Sequence, residues 1–453
     1  MSQELSQELI DNISEMLNEG KLSELRAELC EMNEVDIAEA MEDLPSEQLL
    51  KMFRILPKDM SADVFSYLES ESQSQLVGLI TDSEIETLLD EMFLDDTVDF
   101  LEVVPANVVR RVLHKADPET RQLINKFLKY PDNCAGSIMT IEMVELHDYL
   151  TVGQAISSIR STAVNKETVY TCFCIDDKRH LIGQVGLHDL LMAKDDELVR
   201  DIMDTESQLI SVSTLEDQEE VADMAKKYDL LSVPVVDNEG RLVGIITIDD
   251  IVDVIEEENT EDFEKMALLL PSEDNYLKTG VFKLAKNRII WLMVLMISAT
   301  LTGKIIDTYE NMLAAVAGLT AAIPMLMDTG GNAGNQVSTL IIRGLALGEL
   351  TPKDYFKILF KEVRVAVICG LALAGVNIIR MFFFSSGTLY VYLVVSAALV
   401  CAVFVAKIIG CTLPICAKML KLDPALMAGP MITTLVDMIT LMIYFALAKA
   451  FLL

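Results

Sequence analysis

The chain has 453 residues, of which 51% are hydrophobic and 23% charged, and its net charge is −34. This charge argues against a nucleic-acid-binding protein, because that class needs a basic surface. The charge is also uneven: residues 1–283 hold 23 basic and 62 acidic residues, whereas residues 284–453 hold 13 and 8. An acidic, water-soluble half is therefore joined to an apolar half, and the acidic half is expected to meet a cationic partner.

A repeat of 12 residues occupies 32–127. The ninth position of its eight units is apolar throughout: Ala40, Met52, Val64, Leu76, Leu88, Phe100, Val112 and Ile124. Proline recurs at the second position of three units, where the first turn of a helix accepts it. Since one unit fits a short helix and a turn, the pattern predicts an α-helical superhelix over 32–136, after an acidic segment at 1–31.

Two copies of a longer unit follow, at 137–200 and 201–258. The run VYTCFCIDDKRHLIGQVGLHDLL in the first copy is echoed by SVPVVDNEGRLVGIITIDDIVDVI in the second. Each copy predicts helix, strand, turn, strand and helix, and β-branched strands around Asn-Glu-Gly favour a hairpin. The pair resembles tandem CBS domains, an α/β regulatory module that often binds adenine nucleotides.

A dense acidic run, IDDIVDVIEEENTEDFEK, leads into a predicted connecting helix at 259–286. On a helix, two neighbouring faces would carry three acids each: Asp250, Asp253 and Glu257 on one, and Glu258, Glu261 and Asp262 on the other. Acid runs are usually solvated faces. Like charges this close repel one another, however, and divalent cations relieve the repulsion.

Five apolar segments are long enough to cross a membrane: 287–306, 311–342, 357–383, 387–417 and 424–452. Lys and Arg cluster before the first segment, between the second and third, and between the fourth and fifth. By the positive-inside rule, the N-terminal half is predicted to be cytoplasmic and the C-terminus to lie outside. The sequence thus predicts a multi-pass protein of the plasma membrane, with a transmembrane domain at 287–453.

One carboxylate lies near the middle of the fifth segment, in PMITTLVDMITLMIYF. An ionised Asp437 at bilayer depth is costly unless it meets water, a cation or a partner, so it is a candidate functional residue. The hydroxyls of Thr433 and Thr434, about one turn away, favour a wet, polar face. The alternative is a protonated Asp437 that bonds to a neighbouring helix.

The second segment contains PMLMDTGGNAGNQ, where proline and three glycines weaken a helix. Broken backbone at membrane depth is tolerated where it lines a cavity, so Asn332, Asn335 and Gln336 are predicted to face hydrated ions in a pore. The alternative is close helix packing through small residues.

This order of parts resembles the MgtE family of magnesium channels, over about residues 30–453. Its most specific motifs are TGGNAGNQ, GPMITTLVD and VDNEGRLVGIITIDDIVDV. The resemblance implies a multidomain α and α+β membrane protein that assembles as a homodimer and imports Mg²⁺ down its electrochemical gradient. It also implies that cytosolic Mg²⁺ closes the channel by binding the soluble domains, and that ATP is a regulatory ligand.

The same resemblance implies roles for individual residues. It assigns Asp437 to the pore, Asp189 to the ribose of a nucleotide and Tyr170 to the base. It implies a set of metal-binding acids in the soluble half: Asp63, Asp95, Asp99, Asp217, Glu219, Asp229, Asp250, Asp253, Glu258, Glu261 and Asp262.

Other functions are open at this point. Asp437 could instead be the coupling carboxylate of a CBS-regulated secondary transporter of Co²⁺, Mn²⁺ or Ca²⁺. A sensor that does not conduct would leave Asp437 unexplained. An enzyme is not expected, since the sequence has no GxSxG, HExxH or complete Walker motif. Carboxylate and amide oxygens suit Mg²⁺, and no His or Cys cluster selects a softer metal.

Overall fold

The computed structural model of the chain describes residues 3–163, 166–205, 209–271, 276, 279–316, 318–384 and 388–452. The chain divides into an N-terminal unit, Met1–Ile255, and a C-terminal unit, Glu256–Leu453. The division falls within one helix, and each unit has its own hydrophobic core.

The N-terminal unit begins with ten short helices: α1 Gln3–Glu19, α2 Leu22–Leu29, α3 Glu34–Glu42, α4 Ser46–Ile55, α5 Lys58–Ser66, α6 Ser70–Leu79, α7 Asp82–Glu91, α8 Leu94–Val103, α9 Ala106–Lys115 and α10 Pro118–Phe127. From α3 onward each helix starts 12 residues after the previous one, which confirms the repeat. The ninth residue of every unit, from Ala40 to Ile124, is buried. Ile13 of α1 and Leu25 of α2 join the same core, so the acidic N-terminal segment also contributes to it.

Two small sheets with helices follow: β1 Glu145–His147, α11 Val152–Thr162, β2 Thr171–Ile175, β3 Leu181–Gly186, α12 Leu187–Met192, α13 Val199–Ile202, β4 Val212–Ser213, α14 Gln218–Tyr228, β5 Ser232–Val236, β6 Leu242–Thr247 and α15 Ile248–Met266. The strand orders are β1-β2-β3 and β4-β5-β6, each with one parallel and one antiparallel pair. Both hairpins carry an irregularity at the equivalent position. The second repeat predicted from the sequence is therefore confirmed as two copies of one fold.

The two hairpins meet at their turns. The amide of Leu181 donates to the carbonyl of Gly240 at 3.2 Å, and the amide of Leu242 donates to that of Arg179 at 2.9 Å. Because these bonds are reciprocal, they tie the two sheets together as a pair.

The predicted connecting helix at 259–286 is wrong in both bounds. Helix α15 begins directly after β6 and ends at Met266. Leu268 takes a left-handed φ of 53°, and Pro271 follows. A left-handed residue and a proline are the usual features that stop a helix.

The C-terminal unit is helical: α16 Val281–Thr308, α17 Glu310–Ala315, α18 Leu319–Ala346, α19 Tyr355–Phe384, α20 Leu389–Met419 and α21 Pro430–Leu452. Four segments are long and apolar enough to cross a membrane, and they match the first, third, fourth and fifth predicted segments: Val281–Thr308, Pro352–Phe384, Leu389–Met419 and Ala425–Leu452. Helix α18 has 28 residues, or about 42 Å, which also exceeds a bilayer core. Its polar residues set it apart from the other four.

The predicted break within PMLMDTGGNAGNQ is wrong. Helix α18 runs through this motif, and the chain bends before it, where Gly318 has a φ of +94°. The glycines pack instead: a Cβ on Gly331 would lie 2.8 Å from the Thr433 side chain, and one on Gly334 would lie 2.8 Å from Ile432. These contacts match the alternative reading of close packing through small residues.

This packing predicts a difference between two glycines of neighbouring helices. A Cβ on Gly410 of α20 would overlap the Gly334 carbonyl, whereas one on Gly375 of α19 meets nothing within 4 Å. We expect Gly410→Ala to force α18 and α20 apart and to lower stability by about 1–3 kcal/mol. Thermal unfolding in detergent measures this. Gly375→Ala is the matched control, and an equal loss in both variants would contradict the packing role.

Candidate functional site

Asp437 projects from α21 beside α18. It is half-buried, and its Oδ1 makes no hydrogen bond to any described residue. One turn earlier, the Thr433 hydroxyl accepts from the Asn335 amide nitrogen at 3.3 Å and donates to the Gly429 carbonyl at 3.1 Å. The Thr434 hydroxyl donates to the Pro430 carbonyl at 2.8 Å, so its hydrogen is used within its own helix.

Helix α18 supplies amides to the same region. The side-chain nitrogen of Asn332 donates to Oδ1 of Asp328 at 3.2 Å. Asn332 and Gln336 are exposed, and Asn335 is half-buried. Asp328 lies close enough to Asp437 to interact with it electrostatically. Asp328 was not predicted as a site residue from the sequence, although it stands four residues before Asn332 and so shares its helix face.

We call Asp328, Asn332, Asn335, Thr433 and Asp437 the polar strip. Four side-chain oxygens in or beside it are buried without a hydrogen-bond partner among the described residues: Asn335 Oδ1, Ser338 Oγ, Asp437 Oδ1 and Thr440 Oγ1. A buried oxygen left unpaired costs free energy. The strip therefore favours a donor or a cation that the chain itself does not supply.

The end of α15 approaches the start of α21 within the C-terminal unit. Lys265 forms ion pairs of 2.8 Å with Glu261 and with Asp423, which lies in the connection between α20 and α21. Gly429 has a φ of +52°, and a Cβ there would lie 2.7 Å from the Met266 carbonyl. Burial, with Asp423 nearby, raises the pKa of Asp262 to about 6. The end of α15, which we call the connector (residues 256–266), is thus held at the N-terminal end of α21, the helix that carries Asp437.

In the N-terminal unit, acids from three segments gather around the first turns of α8 and α15. Asp95 is buried on α8, and burial together with Asp96 and Asp250 raises its pKa well above the ordinary value. Burial and Asp250 raise the pKa of Asp96 to about 6. Glu167, from the segment before β2, has its pKa raised to about 7 by burial and by Asp249.

Asp250 is anchored to the last residue of β6. Its Oδ2 accepts from the hydroxyl of Thr247 at 2.7 Å and from the amide of Thr247 at 3.3 Å. Burial nevertheless raises its pKa to about 6. We call Asp95, Asp96, Glu142, Glu167, Asp249 and Asp250 the junction cluster. The Glu167 amide donates to the Glu142 carbonyl at 2.8 Å, and one carboxylate oxygen of Glu167 is buried and makes no hydrogen bond with the described residues.

Only some of the acids proposed from the sequence belong to this cluster. Asp95 and Asp250 do, and Asp63 lies at its margin, where it raises the pKa of Asp96. Asp99 and Asp253 are exposed.

Three other proposed acids belong to α14 and its two caps: Glu219 lies in its first turn, and Asp217 and Asp229 flank its 11 residues. Asp217 caps its start by accepting from the amide of Glu219 at 3.0 Å, and Asp229 caps its end, about 18 Å away. The structure does not bring these two ends together.

Asp96, Glu142, Glu167 and Asp249 were missed by the sequence analysis. Asp96 and Asp249 each adjoin a proposed acid, so the paired Asp-Asp in LDDTVDF and in TIDDIV was an available signal. Glu142 and Glu167 are isolated acids, and only the tertiary fold brings them to the cluster. Within the described ranges, no three His, Cys, Asp or Glu side chains converge into a group that could hold a metal ion.

The two proposed nucleotide-binding residues lie near each other. Tyr170 immediately precedes β2, and its carbonyl accepts from the amide of Leu187 at 2.9 Å. Asp189 lies in the first turn of α12, and both Tyr170 and Asp189 are exposed. This arrangement leaves an aromatic ring and a carboxylate available at one end of the β2-β3 hairpin.

Comparisons with known proteins cover almost the whole chain. A family model described as a divalent cation transporter matches residues 323–447, the MgtE intracellular N domain matches 32–133 and the CBS domain matches 199–257. The magnesium transporter MgtE of Thermus thermophilus is 34% identical over 449 residues, which cover 98% of this chain and 99% of that protein. The chain belongs to the MgtE family. The MgtE magnesium transporter of Bacillus subtilis is 31% identical over 98% of this chain and 97% of its own length.

Two solved structures of magnesium-transport proteins each resemble about half of the chain. A crystal structure of the soluble part of a magnesium transporter is 30% identical, with a TM-score of 0.53, and covers 56% of this chain and 99% of its own. The cytosolic domain of the Mg²⁺ channel MgtE in complex with ATP is 34% identical, with a TM-score of 0.51, and covers 54% of this chain and 99% of its own. The helical domain, the CBS pair and the apolar helices thus follow the MgtE order.

The junction cluster predicts a pH dependence in the absence of divalent cations. Burial and neighbouring carboxylates raise the pKa of Asp96 and of Asp250 to about 6 and that of Glu167 to about 7 in the folded unit, above the values near 4 expected for an unfolded chain. The folded unit therefore binds more protons, and its free energy of unfolding falls as pH rises from about 4 to about 7. Calorimetry of the full chain with a chelator, at about pH 5 and about pH 7.5, measures the change.

Neutralising two members tests the cause. Asp96→Asn with Asp250→Asn should flatten this dependence and raise the melting temperature at the higher pH. Glu28→Gln with Glu39→Gln removes two exposed acids from α2 and α3 and is the matched control. The explanation fails if both pairs of substitutions act alike.

Proposed function

We propose that this chain forms a homodimeric channel that admits Mg²⁺ down its electrochemical gradient, with Asp437 as the pore carboxylate. The observation that supports this most is the polar strip, in which Asp437 and its neighbours leave buried oxygens without a partner. The relatives named as magnesium transporters align with almost the full chain, including this strip.

The ion would meet side chains rather than backbone. Because α18 is continuous through the glycine motif, its carbonyls take part in helical hydrogen bonds. Mg²⁺ gives up its water reluctantly and is often bound through it. A hydrated ion could therefore be held by Asp437 carboxylates, two in a dimer, and by the amides of Asn332 and Asn335.

The soluble half would be cytoplasmic, and the C-terminus would lie outside. This orientation is supported by the basic residues that flank the apolar helices on one side. It requires five spans in total, so α18 must cross the membrane in addition to the four apolar helices, although its composition is more polar than theirs.

Cytosolic Mg²⁺ would close the channel by stabilising a compact soluble half. Without cations, ionised acids of the junction cluster repel one another across α8, the segment before β2 and α15. An ion that binds the compact state better stabilises it by RT ln(1 + [L]/Kd) per site, so several weak sites give a steep response. Glu258, Glu261 and Asp262 would add sites on the connector.

The connector would pass this change to the pore. Its last turn is held through Lys265 to Asp423, and Met266 packs on Gly429 at the start of α21. A shift of α15 therefore reaches the helix that carries Asp437 without any further element. ATP would act on the CBS pair, with Tyr170 stacking on the base and Asp189 bonding to the ribose, as the ATP complex of a relative's cytosolic domain suggests.

The pore assignment predicts that Asp437→Asn abolishes Mg²⁺ uptake into liposomes by the purified protein, because the shape is kept and the charge is lost. Asp307→Asn at the exposed end of α16 is the matched control and should retain uptake. Uptake by Asp437→Asn at the wild-type rate would refute the role. In wild type, uptake driven by a pH gradient alone would favour a secondary transporter.

The gating assignment predicts that Asp96→Asn with Asp250→Asn leaves the channel open at cytosolic Mg²⁺ concentrations that close wild type. We expect the half-closing concentration to rise by about tenfold, within the range of typical coupling energies. Patch recordings with Mg²⁺ on the cytosolic side measure it, with Glu28→Gln and Glu39→Gln as controls. An unchanged half-closing concentration would reduce the cluster to a structural feature.

A further inference from the structure

A cavity of about 650 Å³ lies in the N-terminal unit, between α10, α11 and the turns of the two CBS hairpins. Aliphatic and aromatic side chains form its walls, among them Phe127, Met143 and Val243. Its charged lining residues are Lys126, Lys166, Arg179, Arg241, Glu145 and Asp237. The size falls in the range of small-molecule sites, about 300–1,000 Å³.

The lining of the cavity carries a net positive charge, although the N-terminal part of the chain is strongly acidic. Its lining carries four cations and two carboxylates, a balance of +2, whereas residues 1–283 carry −39. Arg179 pairs with Glu145, and Arg241 pairs with Asp237 at 2.7 Å. Lys126 and Lys166 form no ion pair with any residue that the structure describes, so they provide the uncompensated charge.

We propose that this cavity binds a soluble phosphomonoester with a compact apolar body. A phosphate monoester carries a charge of about −1.5 to −2 at neutral pH, which complements the two unpaired lysines. The apolar walls would cover the organic part, because burying apolar surface is favourable. The paired arginines fix the shape of the opening and can still donate to phosphate oxygens, since guanidinium groups have five N–H donors.

This site is separate from the proposed nucleotide site. Tyr170 and Asp189 lie at the α12 end of the β2-β3 hairpin, whereas Arg179 lies in the turn at its other end. Five residues of strand separate the two ends, or about 16 Å. Binding in the cavity also does not depend on the proposed transport.

The test uses phenyl phosphate, which has a phosphate and an apolar ring but no base or ribose, and full-length protein in magnesium-free detergent solution. Isothermal titration calorimetry should show one site per chain. Inorganic phosphate should bind about tenfold more weakly, because it lacks the apolar body. Equal affinities for the two compounds would overturn the proposal.

Variants locate the site. Lys126→Ala with Lys166→Ala should weaken phenyl phosphate binding by about tenfold or more, and Ser158→Trp should block it by filling the cavity. Lys51→Ala with Lys129→Ala removes the same charge from exposed positions outside the cavity and should change little. Unchanged binding after the Lys126 and Lys166 substitutions would overturn the assignment. So would an equal loss after the Lys51 and Lys129 substitutions, or a loss seen only with Tyr170→Ala and Asp189→Ala.

Discussion

Burial and the nearby Asp250 raise the pKa of Asp95, Asp96 and Glu167, although three separate segments of the chain hold these four acids. Placing carboxylates together in a half-buried setting costs free energy, and the cost rises as each one ionises. The helical repeat and the CBS pair supply the apolar core that keeps the first turns of α8 and α15 in this arrangement. In the N-terminal unit, burial of the apolar core favours the compact form and repulsion between its acids opposes it. A small change in the charge of these acids can therefore shift the equilibrium between compact and open forms.

In the C-terminal unit, glycine residues determine how closely two helices pack. Gly331 and Gly334 allow α18 to pack directly on α21, and this close approach brings the amides of α18 beside Asp437. Larger residues at these positions would separate the two helices. The same residues that remove side-chain bulk therefore create the polar strip, and α18 stays helical through the glycine motif while side-chain oxygens are available to an ion.

The regions with a regular sequence repeat were predicted most accurately. The 12-residue repeat locates helices α3 to α10, and the echo between two hairpins locates both sheets, because each repeat buries one apolar column. Helix ends and bends were predicted less well. Proline and glycine in the α18 motif suggest broken backbone, whereas tertiary packing keeps the helix intact. Glu142 and Glu167 have no neighbouring acid along the chain, so no local pattern could place them in the junction cluster. The resemblance assigns both Asp217 and Asp229 to metal binding, and the structure places them at opposite ends of one helix.

Carboxylates with a pKa of about 6 to 7 also make the N-terminal unit sensitive to mild acid. Protonation of Asp96, Asp250 and Glu167 removes the same repulsion that a divalent cation would remove, so both ions favour the same compact state. Cation binding must in turn release some of these protons, because a carboxylate binds a metal in its ionised form. In the orientation and regulation proposed above, an acidic cytoplasm would keep the N-terminal unit compact with less magnesium present. The protein would respond to the combined supply of two cations, and a magnesium affinity measured at one pH would describe only part of its behaviour.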